Sequence, residues 1–230
     1  MCWNKEVSLF SFVIISIVSY KLYKRNLLND RLLAIFIMSY GSMQLFETFI
    51  WYGLDTNNTN INFIGSILAC LLLYLHPIAI IYGMKYDNLY KKYINNRYFK
   101  LLSIIALGFI LFGVFNIFKS INNKTYNFIS YPDSINNHLV WDFPSHYLYI
   151  MVFGLIASIF MFKENKTFWL FIMLYYLLPA LFVFKTNKAS KNNLNKNYNG
   201  SYWCWYVAFF SFIVYIINPY IQKDKLKILN

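Results

Sequence analysis

Read for hydrophobic and polar positions, the chain divides into seven long apolar runs, at residues 7–23, 32–52, 61–84, 101–118, 145–162, 167–184 and 201–217. Each is near the roughly 17 to 25 residues that a membrane-spanning helix needs, and the first, fifth and seventh lean on Lys or Tyr at their ends. Strands satisfy their backbones in lipid only by closing into a barrel. The pattern therefore predicts an all-α, polytopic seven-helix transmembrane bundle over residues 1–217, followed by a short basic tail at 218–230. Val18-Ser19-Tyr20-Lys21 offers no small-residue cleavage site, so the first run reads as a mature helix and not as a signal peptide. No internal repeat is evident, and no soluble domain fits in the loops. The loop from Lys119 to Pro144 carries the most chemistry and reads as solvated, as does the Asn/Lys-rich stretch from Lys185 to Asn199.

Composition strengthens the membrane assignment. The chain is 59% hydrophobic, 22% aromatic and only 13% charged, with mean hydropathy +0.43, against about 45 to 50% apolar in soluble domains. Its formal charge of +12 does not make it a nucleic-acid binder, because the Lys and Arg residues sit between apolar runs and form no basic face. They are placed to meet anionic headgroups, so the expected partner is the lipid bilayer, with no nucleic acid.

Lys21, Lys24, Arg25, Arg31, Lys85, Lys91, Lys92, Arg97, Lys100, Lys163, Lys166, Lys223, Lys225 and Lys227 fall on one side of the predicted bundle. Half as many fall on the other: Lys5, Lys119, Lys124, Lys185, Lys188, Lys191 and Lys196. The positive-inside rule then puts the N-terminus in the lumen or outside the cell and the C-terminus in the cytosol. The glycosylation sequons at Asn57, Asn123 and Asn199 fall on the lumenal side, and Asn165 on the cytosolic one. Endomembrane, cell-surface and viral or host membranes all fit. Gly is scarce, at 8 residues, while Asn, Lys, Ile and Tyr are abundant, a bias expected to bear on the coding genome and not on mechanism.

Candidate chemistry centres on Glu47, the one acid that a long apolar run encloses. Gln44 and Trp51 share its helix face, with Tyr40 one turn further back. A carboxylate facing lipid costs at least about 2.5 to 3.5 kcal/mol, so this face must look at protein or trapped water. In helix three Asn62, Ser66, Ala69, His76 and Gly83 form one stripe of small and polar residues, the mark of a packing seam. Pro77 removes the donor to the Leu73 carbonyl and is expected to kink the helix beside His76. His76 reads as a hydrogen-bonded structural residue or as a proton relay, too deep to pair with Glu47.

Ser201, Cys204, Ala208, Ser211 and Tyr215 stripe the last helix, flanked by Trp203 and Trp205 at the depth of an aromatic belt. Cys2 and Cys204 share the lumenal side. A disulfide, a metal or ligand site with Glu47, and two unpaired thiols all remain open; Cys70 reads as packing. His138, Asp142 and His146 have a spacing that suits zinc on one helix face, although Pro144 interrupts it and a solvated loop is the plainer reading.

Familiar seven-helix classes do not fit. The last helix has no Schiff-base lysine, Asn218-Pro219 lacks the Tyr at 222 of the receptor N-P-x-x-Y, and no histidine follows His146. Three motifs do resemble a family of uncharacterised multi-pass membrane proteins: Met1-Cys2-Trp3-Asn4-Lys5-Glu6-Val7-Ser8, Gln44-Leu45-Phe46-Glu47-Thr48-Phe49-Ile50-Trp51, and Ser201-Tyr202-Trp203-Cys204-Trp205. That family opens Met-Cys-(Trp or Phe)-Ser-x-x-x-Ser, carries Gln-x-x-Glu-x-x-x-Trp in its second helix and starts its last with Trp-Cys; this chain departs from it at Asn4. The resemblance implies a shared site at Cys2, Trp3, Ser8, Gln44, Glu47, Trp51, Trp203 and Cys204, and no reaction.

The expectation is a multi-pass membrane protein of unassigned activity with a lumen-facing polar pocket centred on Glu47. The rivals are a membrane-embedded enzyme or transporter using Glu47, with His76 or a metal, and a structural or assembly protein without catalysis. The sequence assigns neither a cofactor nor an oligomeric state.

Overall fold

A computed structural model describes residues 4–132, 139–144 and 200–221; within the last helix the side chains of 200–207 and 221 are not described. Five α-helices occupy these residues: α1 (Lys5–Arg25), α2 (Asp30–Asp55), α3 (Thr59–Tyr86), α4 (Arg97–Asn122) and α5 (Gly200–Ile221). The first four are long and apolar enough to cross a membrane. The predicted runs at 145–162 and 167–184 lie outside the described residues.

Every described helix extends beyond its apolar run, because the run measures the hydrocarbon layer while polar caps carry the helix past it. Asn4, Asn58 and Asn96 cap α1, α3 and α4, each accepting from a backbone N–H of the first turn. Asn26, Asn29 and Asn57 take positive φ at the helix ends, where glycine is usual and Asn is the side chain that tolerates the left-handed region best. The Asn-rich, Gly-poor composition therefore has a structural use at the helix ends.

The helices α2 and α3 form the central antiparallel pair. A Cβ on Gly65 would lie 2.9 Å from Ile50 Cγ1 and 3.1 Å from the Phe46 carbonyl, and one on Gly53 would lie 2.6 Å from the Asn62 nitrogen. Only glycine permits so close an approach. Further along, Tyr40 and His76 meet with ring centroids 3.8 Å apart, and Gly83 packs on Leu32, so one register holds over the whole pair. The helix α1 lies antiparallel to α2, through Lys5–Asp55 at 2.8 Å, Ile15 against Gly41, and Arg25–Asp30 at 2.7 Å. These contacts define two ends of the bundle, the Lys5 end and the Arg25 end.

The outer helix α4 packs on α3 through Gly113 and Tyr74 but leaves Ile104, Leu111, Phe115 and Phe118 more than 60% exposed. Bare apolar surface on that scale belongs against lipid or further protein, not water.

The core has two centres. One, toward the Arg25 end, gathers Ile15, Leu22, Leu33, Ile80 and Phe99 with Phe210 and Val214 of α5. The other, toward the Lys5 end, gathers Ile50, Trp51, Ala69, Leu73 and Ile117 with Phe128, Leu139, Trp141 and Phe143. Those last four belong to the loop after α4, which overturns its reading as solvated. There β1 (Tyr131–Pro132) pairs antiparallel with β2 (Leu139–Val140).

The hairpin folds onto the polar stripe of α3. The Asn62 amide donates to the Ser130 carbonyl at 2.8 Å and accepts from the Ser130 N–H at 2.9 Å, so it pairs as a neighbouring strand residue would. Ser66 meets Ser130 Oγ at 2.9 Å, and the Cys70 thiol donates to the Pro144 carbonyl at 3.5 Å. Non-helical backbone at this depth is tolerated because protein covers it.

Candidate functional site

Glu47 is fully buried, as are Gln44, Trp51 and Tyr40 on the same face of α2. It lies eight residues from Asp55, about 12 Å along the helix. Between the Lys5–Asp55 and Ile15–Gly41 contacts, the α1–α2 register brings Ser8 between the levels of Glu47 and Trp51 and Ser11 between those of Gln44 and Glu47, and both serines are buried. Ser8 is a position that the resemblance singled out. Ala69 of α3, one turn beyond Gly65 and fully buried, keeps the opposite wall small at the same depth.

The helix α5 runs antiparallel to α2, tied to it by Asn218 Nδ2 donating to Asp30 Oδ1 at 2.6 Å. Gln44 and Cys204 each lie about 21 Å of helix rise from that bond, so the backbone of Cys204 comes level with Gln44. Trp203 occupies the same first turn of α5. Cys2, Trp3 and Asn199 lie outside the described residues, and so does a Cys2–Cys204 bridge.

Two hydrogen-bonding groups in this layer have no partner among the described residues although they are buried: Ser8 Oγ and Trp51 Nε1. Native interiors seldom leave such groups unmatched. One offers a hydroxyl and the other a donor only.

His76 stands apart. Its Nδ1 lies 2.7 Å from the Leu72 carbonyl; a carbonyl only accepts, so Nδ1 carries the proton. Its ring packs against Tyr40, seven residues or about 10 Å of rise from Glu47.

The metal candidates separate in a similar way. Asp142 follows β2 and not a helix turn, and one of its carboxylate oxygens accepts the Asn127 N–H at 3.0 Å. The four-residue spacing with His138 therefore does not put the two on one helix face, while His138 and His146 themselves lie outside the described residues. No three His, Cys, Asp or Glu side chains converge among the described residues. The sequons at Asn57 and Asn123 are both exposed at the Lys5 end.

The densest polar cluster lies at the opposite end, and the sequence reading missed it. Arg25 grips the buried Asp30 with two parallel bonds, Nε to Oδ2 at 2.7 Å and Nη2 to Oδ1 at 2.9 Å. A third donor, Nη1, reaches the Tyr215 carbonyl at 2.7 Å, and the guanidinium lies over the Tyr215 ring. Asn218 bonds Asp30 and also the Leu28 carbonyl at 3.1 Å. It lies inside α5, which runs on through Pro219 to Ile221, so the tail assigned to 218–230 does not begin at 218. The visible signal was an Arg and an Asp five residues apart across a helix break, together with an Asn inside an apolar run.

Comparison with known proteins is consistent with this picture and adds no activity. The chain is 28% identical over 199 residues to an uncharacterised protein, R287, of Acanthamoeba polyphaga mimivirus, a match covering 73% of this chain and 77% of that one. No family model matches, and no solved structure matches. The apolar helices and this relative are compatible with a membrane protein of unknown function.

Proposed function

We propose that the chain is a seven-span membrane protein of a viral or host membrane, with a polar pocket around Glu47 at a Lys5 end that faces the lumen or the exterior. The observation that carries the pocket is that Gln44, Glu47 and Trp51 share one buried face of α2 beside the buried Ser8 of α1, with Ser8 Oγ and Trp51 Nε1 without a partner among the described residues. A small polar ligand or ordered water matches the two groups.

Chain parity supports seven spans. The helix α4 ends at the Lys5 end, the hairpin stays there, and α5 starts there again. Starting and ending at one end takes an even number of crossings, zero included, and the apolar lengths at 145–162 and 167–184 favour two. The excess of Lys and Arg at the Arg25 end supports a cytosolic placement of that end. Asn57 and Asn123 then stand on the glycosylated side.

The test uses a chain whose native cysteines are replaced by serine, carrying Ser8→Cys, in sealed vesicles. A small, membrane-impermeant thiol reagent applied from the lumenal side is expected to label Ser8→Cys and to spare Ile15→Cys, which lies deeper. Equal protection of both from either side removes the open pocket, and labelling only from the cytosolic side reverses the orientation.

A further inference from the structure

A second groove lies between α1 and α2 toward the Arg25 end. It has a volume of about 510 Å³, within the roughly 300 to 1,000 Å³ of small-ligand sites. Ala34, Ile35 and Met38 of α2 and Ala79 of α3 give it apolar walls, with Ser19 and Tyr23 on the α1 side. Small residues at 34 and 79 leave the space open. Ser16, Ser39 and Ser42 also line it, but each donates to a carbonyl of its own helix. Ser19 does not: its hydroxyl is buried, and it has no partner among the described residues.

Cations stand at the mouth on aromatic supports. The Arg31 guanidinium lies 5.2 Å from the centre of the Tyr23 ring and the Lys24 ammonium 5.7 Å from that of Tyr20. Arg31 Nε is also buried without a hydrogen-bond partner. No acid at this end, among the described residues, is exposed to compete for these cations. Among the described residues Asp30 and Asp87 are the acids of this end; both are buried, and Asp30 is committed to Arg25 and Asn218.

We infer that this groove is a binding site for an anionic phospholipid. Its phosphate is held by Arg31 and Lys24, its glycerol-ester region takes the Ser19 hydroxyl, and one acyl chain lies along Ala34, Ile35, Met38 and Ala79. The chemistry matches part by part: a guanidinium and an ammonium on the rings of the lining Tyr23 and Tyr20 for phosphate oxygens, a lone hydroxyl for an ester, and an apolar trough about 12 Å long by the rise from Ala34 to Ser42. The site opens where membrane-length helices end, the level at which headgroups lie. It rests on the membrane-spanning reading of the proposed function but not on the Glu47 pocket.

The full chain, purified in mild detergent after equilibration with mixed phosphatidylcholine and phosphatidylserine, is weighed intact with its retained lipid. The expected result is retention of phosphatidylserine over phosphatidylcholine, weakened roughly fivefold per cation removed in Lys24→Gln with Arg31→Gln. Lys119→Gln with Lys124→Gln, at the other end, keeps the selectivity. Ala79→Leu, filling the trough, loses both lipids, and circular dichroism confirms that each variant stays helical. Equal retention of the two lipids, or selectivity unchanged by the Lys24 and Arg31 changes, overturns the site. Displacement of the lipid by inorganic phosphate alone reduces it to an anion site and also overturns the proposal. Extraction of the chain from membranes by alkaline carbonate without detergent instead defeats the membrane-spanning reading.

Discussion

Two buried polar clusters, one at each end of the bundle, are matched to different degrees. At the Arg25 end, Asp30 is matched atom for atom by Arg25, Asn218 and the Leu27 N–H at 3.0 Å. The result ties α1, α2 and α5 together where they would otherwise fray. At the Lys5 end the layer around Glu47 keeps Ser8 Oγ and Trp51 Nε1 without partners among the described residues, while the neighbouring hairpin is closely bonded to α3. A cluster that matches every oxygen of its carboxylate, as around Asp30, specifies structure. A cluster that leaves donors and acceptors uncommitted is where a ligand can be read.

The largest effect should come from breaking the lock at the Arg25 end. Arg25→Met leaves Asp30 buried and uncompensated, a change worth about 3 to 5 kcal/mol in buried ion pairs. Unfolding in detergent followed by circular dichroism should show that loss, and Arg25→Met with Asp30→Leu should recover a large part of it. A double variant as unstable as the single one would mean that Asp30 is held by Asn218 and the backbone, with Arg25 incidental. The Glu47 layer, if it is a pocket and not a lock, should not share this sensitivity: Glu47→Gln keeps the shape and should cost under about 1 kcal/mol.

A smaller effect is expected at the hairpin bonded to the polar stripe of α3. Asn62→Ala removes two bonds to Ser130 and leaves its buried N–H and carbonyl unmatched, at a cost of about 1 to 3 kcal/mol for the exposed groups. The cost should be local. Amide exchange at Ser130 and Phe128 should accelerate while the Arg25 end stays protected. Uniform acceleration throughout the bundle would erase the distinction between the ends.

The helices were legible from the sequence because each buries or exposes a long apolar run, and lipid permits few alternatives. The Glu47 face was legible because a carboxylate in such a run is rare and its neighbours recur at helical spacing. The hairpin was not read, although the alternation Tyr126, Phe128, Ser130 and then Leu139, Trp141, Phe143 marks half-buried extended chain. Its two-residue strands are too short to stand out, and their partner, the Asn62 amide, is a side chain on a helix. The Arg25–Asp30–Asn218 cluster was missed for a related reason. Positions 25 and 30 lie just outside the apolar runs and read as loop charge, and only the packing of α5 turns them inward.

The finest test of the contrast is Asp87, buried just past the end of α3. Its carboxylate accepts from Leu89 N at 3.0 Å and from Leu32 N at 3.4 Å, capping the start of α2 from another helix. Burial, helped by the nearby charge of Asp30, still holds its pKa above the ordinary aspartate value, and the backbone bonds only partly offset this. A folded-state pKa above the unfolded one means that the folded chain binds the proton more tightly. Asp87 therefore contributes stability that is fully present below the ordinary value and is lost as the pH rises through the folded one. Asp87→Asn removes the desolvated charge but turns an amide N–H toward Leu32 N, so the two changes should offset to within about 1 kcal/mol at neutral pH. Its signature is the slope: between about pH 4 and about pH 8 the melting curve of Asp87→Asn should be flatter than that of the native chain, which gains stability on acidification. Parallel curves would mean that Asp87 is already compensated by its backbone donors, leaving no residual charge strain there.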